Sequence, residues 1–108
     1  MKLVKIVVFV PLTHADKVIE AIGKADGGEL GNYSYCSFSS RGVGRFKPNE
    51  KAKPHIGKAN ELEKVEEERI EVTCSRIKAK EVIKAIKKVH PYEEVAFDVY
   101  PLIDEDEL

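Results

Sequence analysis

Apolar residues recur along the chain with two different periods, and their alternation predicts the order of the elements. Residues 2–10 are β-branched or apolar at nearly every position, which is typical of a central strand with both faces buried. Further strand-like segments lie at about residues 33–40, 65–74 and 95–102. Two stripes at helical spacing predict amphipathic helices, formed by Ala15, Val18, Ile19, Ile22 and Ala25 and by Ala79, Val82, Ile83, Ile86 and Val89.

Local signals mark where these helices begin and end. Thr13, with Asp16 three residues later, is a near-match to a capping box at the start of the first helix. Two consecutive glycines, Gly27 and Gly28, end that helix, and Pro91 ends the second one.

The resulting order is β-α-β-β-α-β in two similar halves, which predicts a ferredoxin-like α+β sandwich as a single domain over residues 1–108. Right-handed crossovers place both helices on one face of a four-stranded antiparallel sheet. The predicted core consists of Ile6, Val8, Val18, Ile22, Cys36, Phe38, Ile70, Val72, Val82, Ile86 and Phe97.

The other sheet face has no cover in this arrangement. Its side chains are too apolar for water and too polar for a monomer's core, so we expect an oligomer interface there. The residues predicted on this face are Lys5, Val7, Phe9, Tyr33, Tyr35, Arg69, Glu71, Asp98 and Tyr100.

Composition excludes several classes of function. Eighteen Lys and Arg against nineteen Asp and Glu give a net charge of −1, which offers no electrostatic case for nucleic acid or an anionic membrane. No apolar run approaches the roughly 20 residues of a membrane span. The two cysteines, Cys36 and Cys74, form neither a disulfide framework nor a zinc motif. We therefore expect a cytoplasmic protein without nucleic-acid or membrane partners.

The charged residues are themselves biased. Fourteen of the eighteen basic residues are Lys, fourteen of the nineteen acids are Glu, and Gln is absent. This composition is typical of thermophilic proteins.

The segment of residues 41–59, between the second and third predicted strands, is rich in Gly, Pro and Lys. Its local charge reaches +5, while the next residues up to Glu71 are acidic. We predict a loop that binds a small anionic ligand or an acidic surface of a protein partner, through charged side chains and flexible backbone N–H groups. Its candidate residues are Arg41, Gly42, Gly44, Arg45 and Lys47, with Arg45 and Lys47 as direct contacts beside the ring of Phe46. The alternative is a solvated connector whose lysines neutralise the acidic run.

A second cluster of functional groups is the sequence HPYEE at the end of the second helix. His90, Glu93 and Glu94 are ligand types suited to a divalent metal such as copper or zinc. The structural alternative is that His90 caps the helix by bonding its last carbonyls, Tyr92 packs, and both Glu residues are solvated. No nucleophile–base pair, catalytic carboxylate pair or cofactor motif is recognisable, so no enzymatic activity is predicted.

Several stretches are together characteristic of one family. They are VFVPLTHADKVIEAIGKADGGELGNYSYCSF, GRFKP, PHIGKANELEKVEEERIE and HPYEEVAFDVYPL. In this order they resemble the PII/CutA-like insert domain of the YqfO-type, or NGG-interacting-factor-like, dinuclear-metal proteins, and the chain looks like a stand-alone copy of that domain. The HPYE element also resembles CutA, a divalent-cation tolerance protein.

The resemblance implies a PII-like fold that assembles as a homotrimer through the open sheet face. It also implies that the loop between the second and third strands responds to ligands or partners. The dinuclear metal ligands of the larger proteins lie outside this insert, so the resemblance does not imply their metal chemistry here. Val95 stands where this family would have Pro.

Three hypotheses follow. The first is a trimeric binding or sensing protein that acts through this loop and the clefts between subunits. The second is a copper- or zinc-binding protein similar to CutA. The third is an oligomerisation module without a ligand.

Overall fold

The computed structural model describes residues 2–108, and its elements follow the predicted order. Four strands, β1 to β4, and two helices, α1 and α2, make up the regular structure. Their bounds are β1 Leu3–Pro11, α1 Ala15–Lys24, β2 Phe38–Phe46, β3 Glu63–Ser75, α2 Ala79–Val89 and β4 Phe97–Pro101. No helix within the described residues is long and apolar enough to cross a membrane.

The four strands form one antiparallel sheet in the order β2-β3-β1-β4. The prediction that β1 is a central strand is confirmed, since it pairs with β3 on one side and β4 on the other. The first four residues of β3, from Glu63, pair with β2 alone. These residues and their β2 partners form a two-stranded arm that projects past the end of β1.

Both helices pack on one face of the sheet, as predicted. Alternate residues of β1 face them, because successive side chains of a strand point to opposite faces. The core they form consists of Val4, Ile6, Val8, Val10, Ala15, Val18, Ile22, Ile70, Val72, Cys74, Ala79, Val82 and Ile86. Phe97 is partly buried against this cluster.

The second strand begins later than predicted. Residues 33–37 belong instead to an irregular segment in which the backbone N–H of Cys36 donates to the carbonyl of Gly28 and Tyr35 has a positive φ of 59°. The ring of Tyr35 lies over Gly23 of α1, where an added Cβ would overlap it. Placing Tyr33 and Tyr35 on the open sheet face was therefore wrong, because these residues are not in a strand.

The shifted strand also changes two predicted core residues. Phe38 lies opposite Glu71, on the sheet face away from the helices, and is 67% exposed. Cys36 precedes the strand and is half-buried. Both core predictions were wrong because they assumed a strand through residue 36, whose alternation would have turned these side chains inward.

The predicted helix caps are also absent. The hydroxyl of Thr13 lies 2.8 Å from Nδ1 of His14, and no side-chain cap bonds the start of α1. His90 ends α2 through its backbone N–H, which donates to the carbonyl of Ile86. Its ring turns away from the helix and bonds residues of the cleft described next.

Candidate ligand-binding cleft

A cleft of about 720 Å³ lies where the β2–β3 arm leaves the sheet. Three parts of the chain form its walls: the strand ends, residues 47–56 of the loop after β2, and residues 92–96 between α2 and β4. Phe9, Ser40, Glu67 and Arg69 share its sheet side, which by register is the face opposite the helices. The cleft therefore opens on the sheet face that the helices leave uncovered.

The floor of the cleft contains a buried carboxylate. Glu67 is 8% exposed, and its Oε2 accepts a hydrogen bond of 3.1 Å from the hydroxyl of Tyr92. Burial, and then the adjacent carboxylate of Glu67, raise the pKa of Tyr92 well above its ordinary value of 10.0. The phenol therefore remains protonated and continues to donate to Glu67.

Gly44 makes room for this carboxylate. A Cβ added at Gly44 would overlap Oε1 of Glu67, whereas one added at Gly42 would meet nothing within 4 Å. The side chain of Glu67 thus lies against the β2 backbone at Gly44. A side chain at this position would therefore displace the carboxylate of Glu67.

His90 holds the cleft segment to the sheet. It is 7% exposed, its Nε2 lies 2.7 Å from the carbonyl of Phe9, and its Nδ1 accepts from the backbone N–H of Tyr92 at 3.2 Å. The two partners fix a neutral ring with its proton on Nε2. Burial lowers the pKa of His90 below 6.5, and the bond to Phe9 and the charge of Glu67 oppose this only in part. His90 is thus a neutral, positioning side chain.

Aromatic rings surround Tyr92. Its ring centroid lies 5.0 Å from that of His90, 6.0 Å from Phe46 and 6.3 Å from His55. His14 extends the series, with its centroid 5.8 Å from that of His55. All three histidines of the chain are therefore connected through ring contacts at this end of the sheet.

The loop is tied to the same segment. The backbone N–H of Lys53 donates a hydrogen bond to Oε2 of Glu93. Pro48 within this loop is buried, and the carbonyl of Pro48 accepts from the N–H of Asn60 at 2.7 Å. The loop is thus closed at its base by the bond between Pro48 and Asn60 and tied at its middle to Glu93.

The predicted anion-binding residues all border the cleft, but most of them are not in a loop. Arg41, Gly42, Gly44 and Arg45 belong to β2, and only Lys47 follows the strand. Gly42 and Gly44 share the face of Glu67, whereas Arg41 and Arg45 alternate onto the opposite face. Placing these four residues in a loop was wrong, because β2 extends through the Gly-rich stretch and pairs with β3.

Arg69, which was assigned only to the oligomer face, is a cleft residue. Its guanidinium carbon lies 5.9 Å from the ring centroid of Phe9, and its Nε is 3.3 Å from Oε2 of Glu71. That nitrogen is buried without a hydrogen bond in the described residues, so the 3.3 Å contact is an ion pair of poor hydrogen-bond geometry. The Nε of Arg69 is therefore directed at Glu71, and the residue borders the cleft.

The predicted metal ligands do not converge. Both nitrogens of His90 are engaged, one oxygen of Glu93 bonds Lys53, and Glu94 is exposed at the cleft edge. No group of three or more His, Cys, Asp or Glu side chains between residues 2 and 108 is arranged to hold a metal. The divalent-metal hypothesis stays a prediction, without support from these contacts.

Sequence reasoning missed the partnership of Glu67 and Tyr92. Glu67 stood within the acidic run and was given no role of its own. The available signal was its position on the alternating pattern of β3, where it shares a face with Arg69 and Glu71. Its burial depends on Tyr92, 25 residues later, and nothing in the local pattern indicates that contact.

No family model matches the chain. A curated relative from Halalkalibacterium halodurans, named GTP cyclohydrolase 1 type 2 homolog, is 53% identical over 105 residues, which are 97% of this chain and 28% of the relative. A Bacillus subtilis relative of the same name is 49% identical, over 91% of this chain and 26% of the relative. The chain spans about a quarter of the length of these curated relatives. Their name is that of the longer proteins and does not assign an activity to this segment.

Solved structures agree with the sequence resemblance. A Bacillus cereus protein related to NIF3 superposes with a TM-score of 0.84 at 50% identity, over 95% of this chain and 26% of that one. The divalent cation tolerance protein CutA from Archaeoglobus fulgidus gives 0.69 at 15% identity, over 94% and 85%. The B. subtilis GlnK–ATP complex gives 0.61 at 17% identity, over 94% and 84%. The last two show the fold alone, and the PII/CutA-like fold is confirmed.

Proposed function

We propose that this chain, a PII/CutA-like domain that matches one segment of the GTP cyclohydrolase 1 type 2 homologs, is a homotrimeric binding or sensing protein that takes a small anionic ligand in the cleft. The observation that carries the proposal is that two acids of the cleft already accept hydrogen bonds from the protein. One oxygen of Glu67 is occupied by Tyr92, and one of Glu93 by the backbone of Lys53. Lys47 at the cleft takes part in none of the ion pairs of residues 2–108, and Arg69 forms one, at 3.3 Å with Glu71; these two cations are the groups offered to an anion.

Two cations are best placed to contact the ligand. Arg69 lies on the cleft face with a buried Nε that makes no hydrogen bond in the described chain, and Lys47 is exposed where β2 enters the loop. Lys47 retains the role predicted for it. Arg69 replaces Arg45 in our proposal, since the side chain of Arg45 is directed to the other face of β2.

Several contacts must act together. An exposed ion pair contributes about 0.2–1 kcal/mol, so two cations alone give little affinity. The rings of Phe46, His55 and Tyr92 add a surface on which a planar group can stack. A ligand that combines an anionic group with a flat ring therefore fits best, and binding should weaken as salt is added.

The proposed trimer uses the uncovered sheet face. Tyr100 and Leu3 are 44% and 41% exposed there, and Phe38 is 67% exposed. These apolar groups stand among charges such as Lys5 and Glu71, which pair at 3.5 Å. Three copies closed around this face would bury the apolar groups and bring a neighbour to the border of each cleft. Light scattering at micromolar concentration should give three times the 12.1 kDa chain mass, and a mass of one chain would reject the trimer.

Calorimetric titration tests ligand binding. ATP is the first probe because the GlnK neighbour is a complex with ATP, and other phosphorylated metabolites follow. We expect binding by the wild type and a loss of at least about tenfold in Lys47→Ala/Arg69→Ala, which corresponds to about 1.4 kcal/mol. Lys84→Ala/Lys88→Ala removes two exposed cations from α2 and should bind as the wild type does. If the wild type does not bind up to millimolar ligand, or if the two double variants bind equally well, the hypothesis of an oligomerisation module without a ligand would be better supported.

A further inference from the structure

The carboxylate of Glu67 is buried without a cationic partner. Its Oε2 accepts from the hydroxyl of Tyr92, which carries no charge. Its Oε1 accepts no hydrogen bond, and Glu67 enters no ion pair, between residues 2 and 108. The nearby imidazole of His90 is held neutral by its two hydrogen bonds and adds no positive charge. Because buried carboxylates are ordinarily paired with a cation, Glu67 lacks a partner that such a group requires.

The neighbours of Glu67 on the sheet do not supply this cation. Gly42 lies opposite Glu67 on β2, and Pro11 lies opposite it on β1. Neither residue has a charged side chain. Arg69, two residues later on the same face of β3, forms its ion pair with Glu71 instead. The missing positive charge must therefore come from outside the described chain.

The free oxygen of Glu67 is accessible from the cleft. Within residues 2–108, Nε of Arg69 is the one fully enclosed side-chain nitrogen or oxygen that lacks a hydrogen-bond partner. Oε1 of Glu67 also lacks a partner, so it must retain some accessible surface. Since the side chain of Glu67 lines the cleft, a group bound in the cleft can contact this oxygen.

Aromatic rings lie beside the same carboxylate. The ring centroid of Tyr92, which bonds Glu67, lies 6.0 Å from that of Phe46 and 6.3 Å from that of His55, at interplanar angles of 57° and 47°. Phe46 shares the cleft face of β2 with Gly44, against which the carboxylate of Glu67 lies. The faces of aromatic rings attract cations, and sets of rings recognise quaternary ammonium groups. The surroundings of Glu67 therefore favour an organic cation.

A metal ion fits these surroundings less well. Metal ions in proteins take several nitrogen, oxygen or sulfur ligands that converge on one point. No three His, Cys, Asp or Glu side chains of the described chain are arranged in this way. An ammonium group needs only the single carboxylate and the ring faces.

We propose that the cleft contains a cation subsite, in which Glu67 and the rings of Phe46, His55 and Tyr92 bind an ammonium group. The ammonium group provides the counter-charge of Glu67 and lies against the ring faces. Together with an anionic group at Lys47, the ligand of the cleft is then zwitterionic, and this last point rests on the proposed function. The cation subsite itself does not depend on the anion and can be tested with a cation alone.

An NMR titration of ¹⁵N-labelled protein at about pH 7.5 tests the subsite, because imidazoles are then mostly neutral and do not compete as cations. Choline is the cationic probe, and 3,3-dimethylbutan-1-ol is its uncharged isostere. Glu67→Gln removes the negative charge but keeps the size of the side chain and an acceptor for Tyr92. Glu66→Gln makes the same change at the next residue, which is exposed on the opposite face of β3, and is the matched control.

We expect saturable shifts of the Gly44 and Tyr92 amides with choline. The uncharged isostere should bind the wild type at least about tenfold more weakly, and choline should bind Glu67→Gln more weakly by a similar factor. Glu66→Gln should bind choline as the wild type does, and circular dichroism confirms that both variants are folded. The comparison of the two probes uses the wild type and so does not depend on a variant. Equal binding of the two probes, equal binding of choline by Glu67→Gln, or no saturable shifts up to tens of millimolar choline would each overturn the proposal.

Phosphocholine, which adds an anionic group to the same cation, separates the subsite from the proposed function. It should bind more tightly than choline, and Lys47→Ala should remove this advantage without changing the binding of choline. If choline binds but phosphocholine binds no more tightly, the cation subsite is supported and the anionic end of the proposed function is rejected.

Discussion

The helix-covered face of the sheet and its cleft end bury different kinds of residue. Under the helices, the largest fully buried side chains are Ile and Val, among them Ile22, Ile70 and Ile86. At the cleft end, the buried groups are a carboxylate and an imidazole, Glu67 and His90, the two buried polar side chains of residues 2–108. The two ends thus differ in what offsets burial: loss of apolar surface from water favours the helix-covered face, whereas hydrogen bonds offset the burial of Glu67 and His90 at the cleft.

The largest effect should come from the aliphatic layer. Ile86→Ala removes a side chain that is 1% exposed and leaves a cavity, so the free energy of unfolding should fall by about 2–5 kcal/mol. Ile77→Ala is the matched control, because Ile77 is 90% exposed; its change should stay within about 0.5 kcal/mol. Urea denaturation measures both, and equal losses would contradict the placement of the core.

A smaller loss of stability is expected from a substitution at the cleft. Tyr92→Phe removes the donor to the buried carboxylate of Glu67 and should cost about 1–3 kcal/mol, the range for a buried group that loses its partner. Tyr33→Phe, at a residue 74% exposed, should be neutral. A double-mutant cycle of Tyr92→Phe with Glu67→Ala, which removes the acceptor, measures the coupling, and additive effects of the two changes would refute the contact.

Gly42 and Gly44, both in β2, distinguish the effect of a steric overlap from the effect of reduced backbone freedom. Gly44→Ala should displace the carboxylate of Glu67 and destabilise the protein by about 1 kcal/mol, as lost buried hydrogen bonds do. Gly42→Ala has open space at the new methyl group and should be neutral or slightly stabilising. Thermal unfolding of the pair checks this order, and the reverse order would show that Glu67 does not lie over Gly44.

The pH dependence of stability should reveal His90. Its pKa is lower in the folded protein than the ordinary value of 6.5, so below that pH the unfolded chain takes up the proton first. Stability should therefore be unaffected by this group above about pH 6.5 and decrease as the pH falls towards the folded pKa. Denaturation at pH 7.5 and 5.5 should show a smaller difference in His90→Asn than in the wild type. His55→Asn, at an exposed residue, is the control. If stability changes with pH in His90→Asn as much as in the wild type, groups other than His90 cause the pH dependence.

The core between the sheet and the helices can be predicted from the sequence, because it follows the hydrophobic periodicity of each element. Ile6, Val18 and Ile70 are identified as core residues by the apolar stripes of the helices and the alternation of β1 and β3. In each element, the local apolar pattern is enough to indicate the buried face. The start of β2 was misplaced because residues 33–37 alternate like a strand, yet Tyr35 packs on Gly23 through a contact that no local pattern encodes.

The cleft could be predicted only in part. The Gly-rich, basic stretch and HPYEE were both selected for their residue types, and both border the cleft. What joins them is a long-range contact, the hydrogen bond from Tyr92 to Glu67, whose carboxylate also lies where a side chain at Gly44 would be. Such contacts depend on how β2, β3 and the segment after α2 come together in space, which periodicity does not reveal.

Ligand binding in the cleft is the central claim, and an NMR titration tests it most directly. Uniformly ¹⁵N-labelled protein, titrated with ATP and then with other phosphorylated metabolites, should show saturable shifts at the amides of Gly42, Gly44 and Lys47. The amides of α1 should not move, because that helix lies on the opposite face of the sheet. No shifts up to millimolar ligand, or shifts confined to the helices, would contradict the account.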